Sequence, residues 1–165
     1  MTTVVTTRKR DPELAARFDH AMRLRDAGAL RECISELELL ITAVVAARPK
    51  RDPVLLLHTF MQLGYVHGRL GDNVESTRRF ADAVEVGPRS ELASLGLFHA
   101  HFGAGRHRDA LAEMVRFLSV TRRDSPGYRE LLVHEPGGER TRVAPELSPL
   151  VREARALLAR HPPRN

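Results

Sequence analysis

Tryptophan is absent from the 165 residues, and aromatic side chains reach only 5%. A core with so few rings must be built from Leu, Val, Ala and Ile. That favours packed helices over a sandwich, whose strands draw on β-branched and aromatic residues. Cysteine occurs once, at Cys33. One thiol cannot close an internal disulfide, so a disulfide framework is excluded and the expected location is the reducing cytoplasm. Lysine is nearly missing too: of 26 basic residues only Lys9 and Lys50 are not arginine. A GC-rich, bacterial-type coding sequence produces such a bias, so the net charge of +5 is discounted as evidence for nucleic-acid binding. The arginines are also interleaved with Asp and Glu instead of gathered in a stripe that could track phosphates. Long apolar runs are lacking. The longest, 39–47, contains Thr42 and falls far short of the roughly 20 residues of a membrane helix. At the start of the chain the charges follow a short apolar patch, the reverse of a secretory signal.

Hydrophobic residues make up 42% and charged residues 28%, the balance of a soluble globular protein of one domain. Residues 1–10 show no periodicity and are expected to be a disordered tail. Asp11-Pro12 reads as an N-cap followed by proline at the first helical position. Leu14, Phe18, Ala21 and Leu24 then recur at helical spacing up to a break at Gly28. A second helix carries Leu30, Cys33, Leu37, Leu40 and Val44, and stops before Pro49. Asp52-Pro53 repeats the start signal, Gly71-Asp72 breaks the helix, and another runs to Gly87-Pro88. Ser90-Glu91 opens a fifth helix that ends at Gly103-Ala104-Gly105, and a sixth reaches about Val120. Beyond Thr121, Ser125-Pro126 caps a short helix. A Gly- and Pro-rich loop follows, and an amphipathic helix extends from Ser148-Pro149 to His161. Strand-like alternation is absent throughout.

The helices repeat. The middle pair has the spacing Phe60-x2-Leu63-Gly64-x2-His67-x3-Gly71-x4-Ser76-x3-Phe80-x2-Ala83-x4-Pro88. One period later stand Leu97, Phe98, His101, Gly105, Ala110, Met114 and Phe117, with Ser94 at the opening large position and Phe98 in place of the glycine. Working back from the turn, Ala21, Leu24, Gly28, Cys33, Leu37 and Leu40 form a first copy, offset by more than one period. This pattern of large residue, Leu-Gly, turn, small residue, aromatic, Ala and Pro resembles the tetratricopeptide repeat family, whose period is about 34 residues. His67 stands where that family usually has Tyr, and Ser76 where it has Ala.

The resemblance covers 11–121 and implies an all-α fold of antiparallel helix pairs stacked in a right-handed superhelix. The pairs would span 11–48, 53–88 and 90–121, with 122–165 a loop and capping helix of the same domain. Small residues such as Gly64 and Ser76 belong where two helices cross closely, and large ones such as Phe60 and Phe80 fill the gaps beside the crossing. In the family, the first helix of each pair lines a concave groove that receives peptides. Carried over by position, the partner-binding residues are Phe18, Met22 and Arg25 from the first copy. The second gives His58, Met61, Tyr65 and Arg69, and the third Leu95, His99 and Phe102. The family's carboxylate-holding Lys and Asn are missing, since Met61 and Tyr65 stand there, so a clamp for C-terminal carboxylates is not implied.

Catalytic and metal readings find little support. His99 and His101 are two apart on a helix and cannot pair as ligands. His67 and His101 hold the same repeat position and read as packing groups. His134-Glu135 lacks the second histidine of a zinc helix, and Cys33 sits at a packing position. The Gly137-Gly138 pair could offer amides to a phosphate, but no strand precedes it. No catalytic residue, metal or cofactor is assigned. The leading expectation is a non-enzymatic protein–protein interaction module that takes a protein or peptide in its groove, with self-association also open. A sequestering role, as a chaperone or toxin-immunity protein, is the alternative. Arginine-mediated nucleic-acid binding and an enzyme built on His134 or His101 rank below both, and no membrane association is expected.

Overall fold

The computed structural model describes residues 11–47, 52–134 and 145–160. The expected 1–10 tail and the Gly137-Gly138 pair lie outside these residues. Two Asp-Pro steps behave as their chemistry dictates. The Asp11 carboxylate accepts from the amides of Glu13 and Leu14 at the start of α1 (Pro12–Asp26). Asp52 accepts from Val54 and Leu55 at 3.0 Å each, opening α3 (Pro53–Arg69). Between them lies α2 (Leu30–Ala46). Asp72 caps α4 (Asn73–Val86) through the Glu75 amide, and Ser90 caps α5 (Glu91–Gly103) through Ala93. Then come α6 (His107–Val120), α7 (Pro126–His134), a 3-10 turn (Pro145–Leu147) and α8 (Ser148–Ala159). The described residues are thus all-α. The last helix stops two residues short of the expected His161, which is itself outside them.

The helices pack as sequential antiparallel pairs, α1 with α2, α3 with α4 and α5 with α6. The same turn closes each pair. Gly28, Gly71 and Gly105 have φ of 80°, 79° and 73°, values at which a Cβ would clash with the backbone. Each glycine amide reaches back three residues, and the next amide (Ala29, Asp72 or Arg106) reaches back five, to Leu24, His67 or His101. That is the Schellman arrangement, and it satisfies carbonyls that a helix end otherwise leaves open. Successive pairs join through α2 against α3 and α4 against α5. The first helices stand in a row, α1 against α3 and α3 against α5.

Where the two helices of a pair cross, one large side chain meets one small one. In the middle pair the Ser76 hydroxyl donates to the Gly64 carbonyl at 2.8 Å, and a Cβ on Gly64 would come within 2.6 Å of the Phe80 ring. The third pair departs from this: Phe98 occupies the glycine's position and Met114 that of Phe80, both large and both buried. The first pair uses Ala21 and Leu37, both fully buried. Phe80 also reaches the next pair, because a Cβ on Gly96 of α5 would lie 2.2 Å from a carbon of its ring. The ring is therefore clasped between two helices of different pairs.

Two apolar clusters occupy the N-terminal pairs, one around Cys33, Leu37 and Leu63, the other around Leu40, Val44 and Leu56. A third is shared by α5, α6, α7 and α8, with Phe98, Phe117, Tyr128 and Leu158 among its members. Helix α8 lies on α6, while α7 touches α5 and α8. Ser125, expected to cap α7, does something else: its hydroxyl donates to Glu91 of α5 at 2.6 Å. The same carboxylate oxygen accepts from the Gly127 amide at 2.8 Å. The first turn of α7 is thus capped by a neighbouring helix, a carboxylate placed where the helix dipole favours negative charge.

Candidate functional site

Helix α3 contains no acidic residue from Pro53 to Arg69. Its first turn buries Leu55 and Leu56, and further along Leu63 and Val66 point into the core. A period of 3.6 therefore leaves Val54, His58, Met61, Tyr65 and Arg69 on the opposite stripe. Among them His58, Tyr65 and Arg69 are exposed and Met61 is half-buried. Tyr65 is 49% exposed, and the Arg69 guanidinium lies 6.0 Å from the centre of its ring, within range of a cation–π attraction.

The other residues assigned to this face from the sequence are not equally free. Phe18 is half-buried and packs against both N-terminal clusters, and Met22 packs against the one around Cys33. Arg25 is committed: it binds the Asp26 carboxylate and donates to Gln62 of α3 at 2.7 Å. It thus ties one first helix to the next. In the third pair, Leu95 packs against the cluster shared with α7, and a Cβ on Gly127 would lie 2.5 Å from it. Phe102 stacks on Phe98 at 5.7 Å and on His107 at 4.5 Å. His99 is exposed, with its ring edge-on to Phe98 at 5.3 Å. The structure thus brings His58, Met61, Tyr65 and Arg69 together on one open stripe. Leu95 and Phe102 lie instead in the part of the row that α7 and α8 share.

That part holds a pocket of about 200 Å³, partly open to solvent and walled by Phe98 and Phe102 of α5, Met114 of α6, Leu132 of α7, Leu147 and Val151. His99 and His107 are its polar lining. The sequence did point to Phe102 and His99. It left open whether 122–165 fills the groove, because the contacts of Leu132, Leu147 and Val151 depend on how α7 and α8 dock. The signal that existed was the helical spacing of Tyr128, Leu131 and Leu132, a second apolar face needing cover.

Helix α7 is fixed by a buried polar chain that the sequence reading also missed. Ser94, fully buried, donates its one proton to Glu113 at 2.6 Å. It therefore accepts from the Tyr128 phenol, 2.8 Å away. Arg116 completes the chain with two bonds to the Glu113 carboxylate, at 2.6 and 2.7 Å. Burial pushes the Tyr128 phenol well above its ordinary range, in spite of the Ser94 bond, so it remains a neutral donor. Burial likewise lowers the pKa of His101, with the Arg106 charge adding to it, and raises that of Cys33. A neutral imidazole and a protonated thiol are packing groups here. Among the described residues no cluster of three His, Cys, Asp or Glu could hold a metal ion, and no helix is long and apolar enough to cross a membrane. Compared with known protein families and with curated proteins, the sequence matches none.

Proposed function

We propose that this protein is a binding module without catalytic activity, built from three tetratricopeptide-like pairs in a right-handed superhelix. It takes a protein or peptide partner against the row of first helices. The observation that carries this reading is the acid-free stripe of α3, where His58, Tyr65 and Arg69 stand exposed beside Met61. Aromatic and arginine side chains dominate interface energies, and Met adapts to the shape it meets. The stripe sits on a rigid base, since α3 is flanked by α1 and α5 and its other side is core. A partner would therefore meet a surface that is already ordered and would incur little cost in shaping it.

The test uses the full chain, immobilised, against a lysate of its source cells, beside a variant carrying His58→Ala, Tyr65→Ala and Arg69→Ala. These side chains are exposed, so the variant keeps its fold, which circular dichroism checks. A protein retained by the wild type and lost by the variant is the expected result. Identical recoveries from both would rule out this face as the binding surface.

A further inference from the structure

Charge is divided between the first and the second helices of the pairs. Helix α3 has no acidic residue and α5 has one, Glu91. That one is engaged, because its Oε1 accepts from the Ser125 hydroxyl and the Gly127 amide. The acids of the second helices gather elsewhere: Glu38 of α2 and Glu75 and Asp82 of α4 surround Arg79, at 2.9, 3.4 and 3.9 Å. Leu92, His99 and Gly103 of α5 stand one repeat period after His58, Tyr65 and Arg69 of α3, so the two neighbouring helices present matching stripes. Leu92 is 67% exposed, and His99 is exposed. The space beside Gly103 is open, since a Cβ there would meet nothing within 4 Å. The acid-free area ends at α1, where Asp19 is exposed, and at α7, where Glu130 is.

Within this area Arg69 differs from the arginines elsewhere. Arg25, Arg78, Arg79, Arg116 and Arg129 each hold a carboxylate. Arg69 lies over the Tyr65 ring instead, and its planar fork of donors fits a carboxylate bidentately. His58 and His99 each carry an imidazole N–H that can donate to a carboxylate oxygen whether or not the ring is charged. Beside these polar groups stand the exposed Val54 and Leu92 and the half-buried Met61. A nucleic-acid backbone would meet a single arginine here, too little for a partner held mainly through phosphates.

We infer that the face of α3 and α5 takes an acidic segment of a partner protein, one in which Asp or Glu is interspersed with apolar side chains. Carboxylates meet Arg69, His58 and His99, and apolar side chains cover Val54, Met61 and Leu92. This inference rests on the reading of α3 as the binding face and adds the partner's chemistry.

A random peptide display library is selected on the immobilised full chain at low salt, and in parallel on the His58→Ala, Tyr65→Ala, Arg69→Ala variant. Peptides retained only by the wild type are expected to be enriched in Asp, Glu and large apolar residues. A synthetic peptide of that composition should bind at least about tenfold more weakly to Arg69→Glu and to Gly103→Glu. Arg69→Lys should keep most of the affinity, and added salt should lower it. Both positions are exposed, and unchanged circular dichroism shows that the fold is kept. Peptides lost on the triple variant but rich in basic or uncharged residues overturn the acidic partner and leave the binding face standing. So does an acidic peptide indifferent to both charge reversals. Peptides held equally by wild type and triple variant, or none at all, overturn the face and the acidic partner with it. A single-stranded oligonucleotide bound more tightly than the peptide, or self-association lost in Arg69→Glu, puts a different occupant on this surface and overturns the inference as well.

Discussion

A single ring, Phe80, shows how the residue scale governs the rest. It is held between Gly64 of its own pair and Gly96 of the next, and it cannot yield to one side without striking the other. Alanine at Gly96 would ordinarily gain up to about 1 kcal/mol in helix propensity. Here the added methyl would lie 2.2 Å from a ring carbon, and overpacking of this kind costs about 1–3 kcal/mol. Gly96→Ala is therefore expected to destabilise the protein by about 1–2 kcal/mol, measured by urea denaturation. Combined with Phe80→Leu, it should cost less than the sum of the two single changes, since both act on one contact. Strict additivity would show that the clasp is not the cause.

At the scale of the element, α7 is the instructive case. Its docking rests on polar groups as well as on apolar burial: buried Tyr128 to Ser94 and Ser94 to Glu113, with half-buried Arg116 on Glu113. Ser94→Ala removes the middle link: the buried phenol loses its partner, and the Glu113 oxygen keeps only Arg116. A buried group left unsatisfied costs about 1–3 kcal/mol, so a loss of about 2–3 kcal/mol is expected in chemical denaturation. Tyr128→Phe spares the Ser94–Glu113 bond and should cost about 1 kcal/mol. Equal losses would mean that the chain does not act in the order described.

The contrast with the other helices explains what the sequence could disclose. Asp11, Asp52 and Gly71 act on amides and carbonyls a few residues away, so their roles are written in local order. The Gly64–Phe80 and Gly64–Ser76 contacts lie at fixed offsets within one hairpin and were legible from spacing. Gly96 was not, because its partner belongs to the preceding pair and the glycine expected in α5 stands at Phe98. Nor was Ser125, whose natural reading as a cap gives way to a carboxylate 34 residues earlier. His58, Met61, Tyr65 and Arg69 were carried over by position from the repeat that the chain resembles, and the stripe of α3 away from the core holds them. The fate of Leu95 and Phe102 was not legible, since it depends on which helices settle over them.

For the molecule as a whole, the segment after Thr121 completes a core. Tyr128 is fully buried against Phe98 and Phe117, and α8 adds Val151, Ala154 and Leu158 to the same cluster. A chain ending at Thr121 would expose the apolar faces of α5 and α6 together. Burying one large side chain is worth about 1.5–3 kcal/mol, so the shortened chain should lose at least about 3 kcal/mol and bind a hydrophobic dye. Unchanged stability without dye binding would show that the three pairs suffice by themselves.

The three matching glycine turns have a consequence for how the chain reaches its structure. Each closes a hairpin between helices that are neighbours in sequence, and each hairpin then meets the next one along. Little chain entropy has to be lost before a contact forms, because no pairing waits for distant ends to meet. Folding can start in any hairpin and spread by addition. The docking of α7 is not of this kind, since Ser125 meets Glu91 of α5, 34 residues back along the chain.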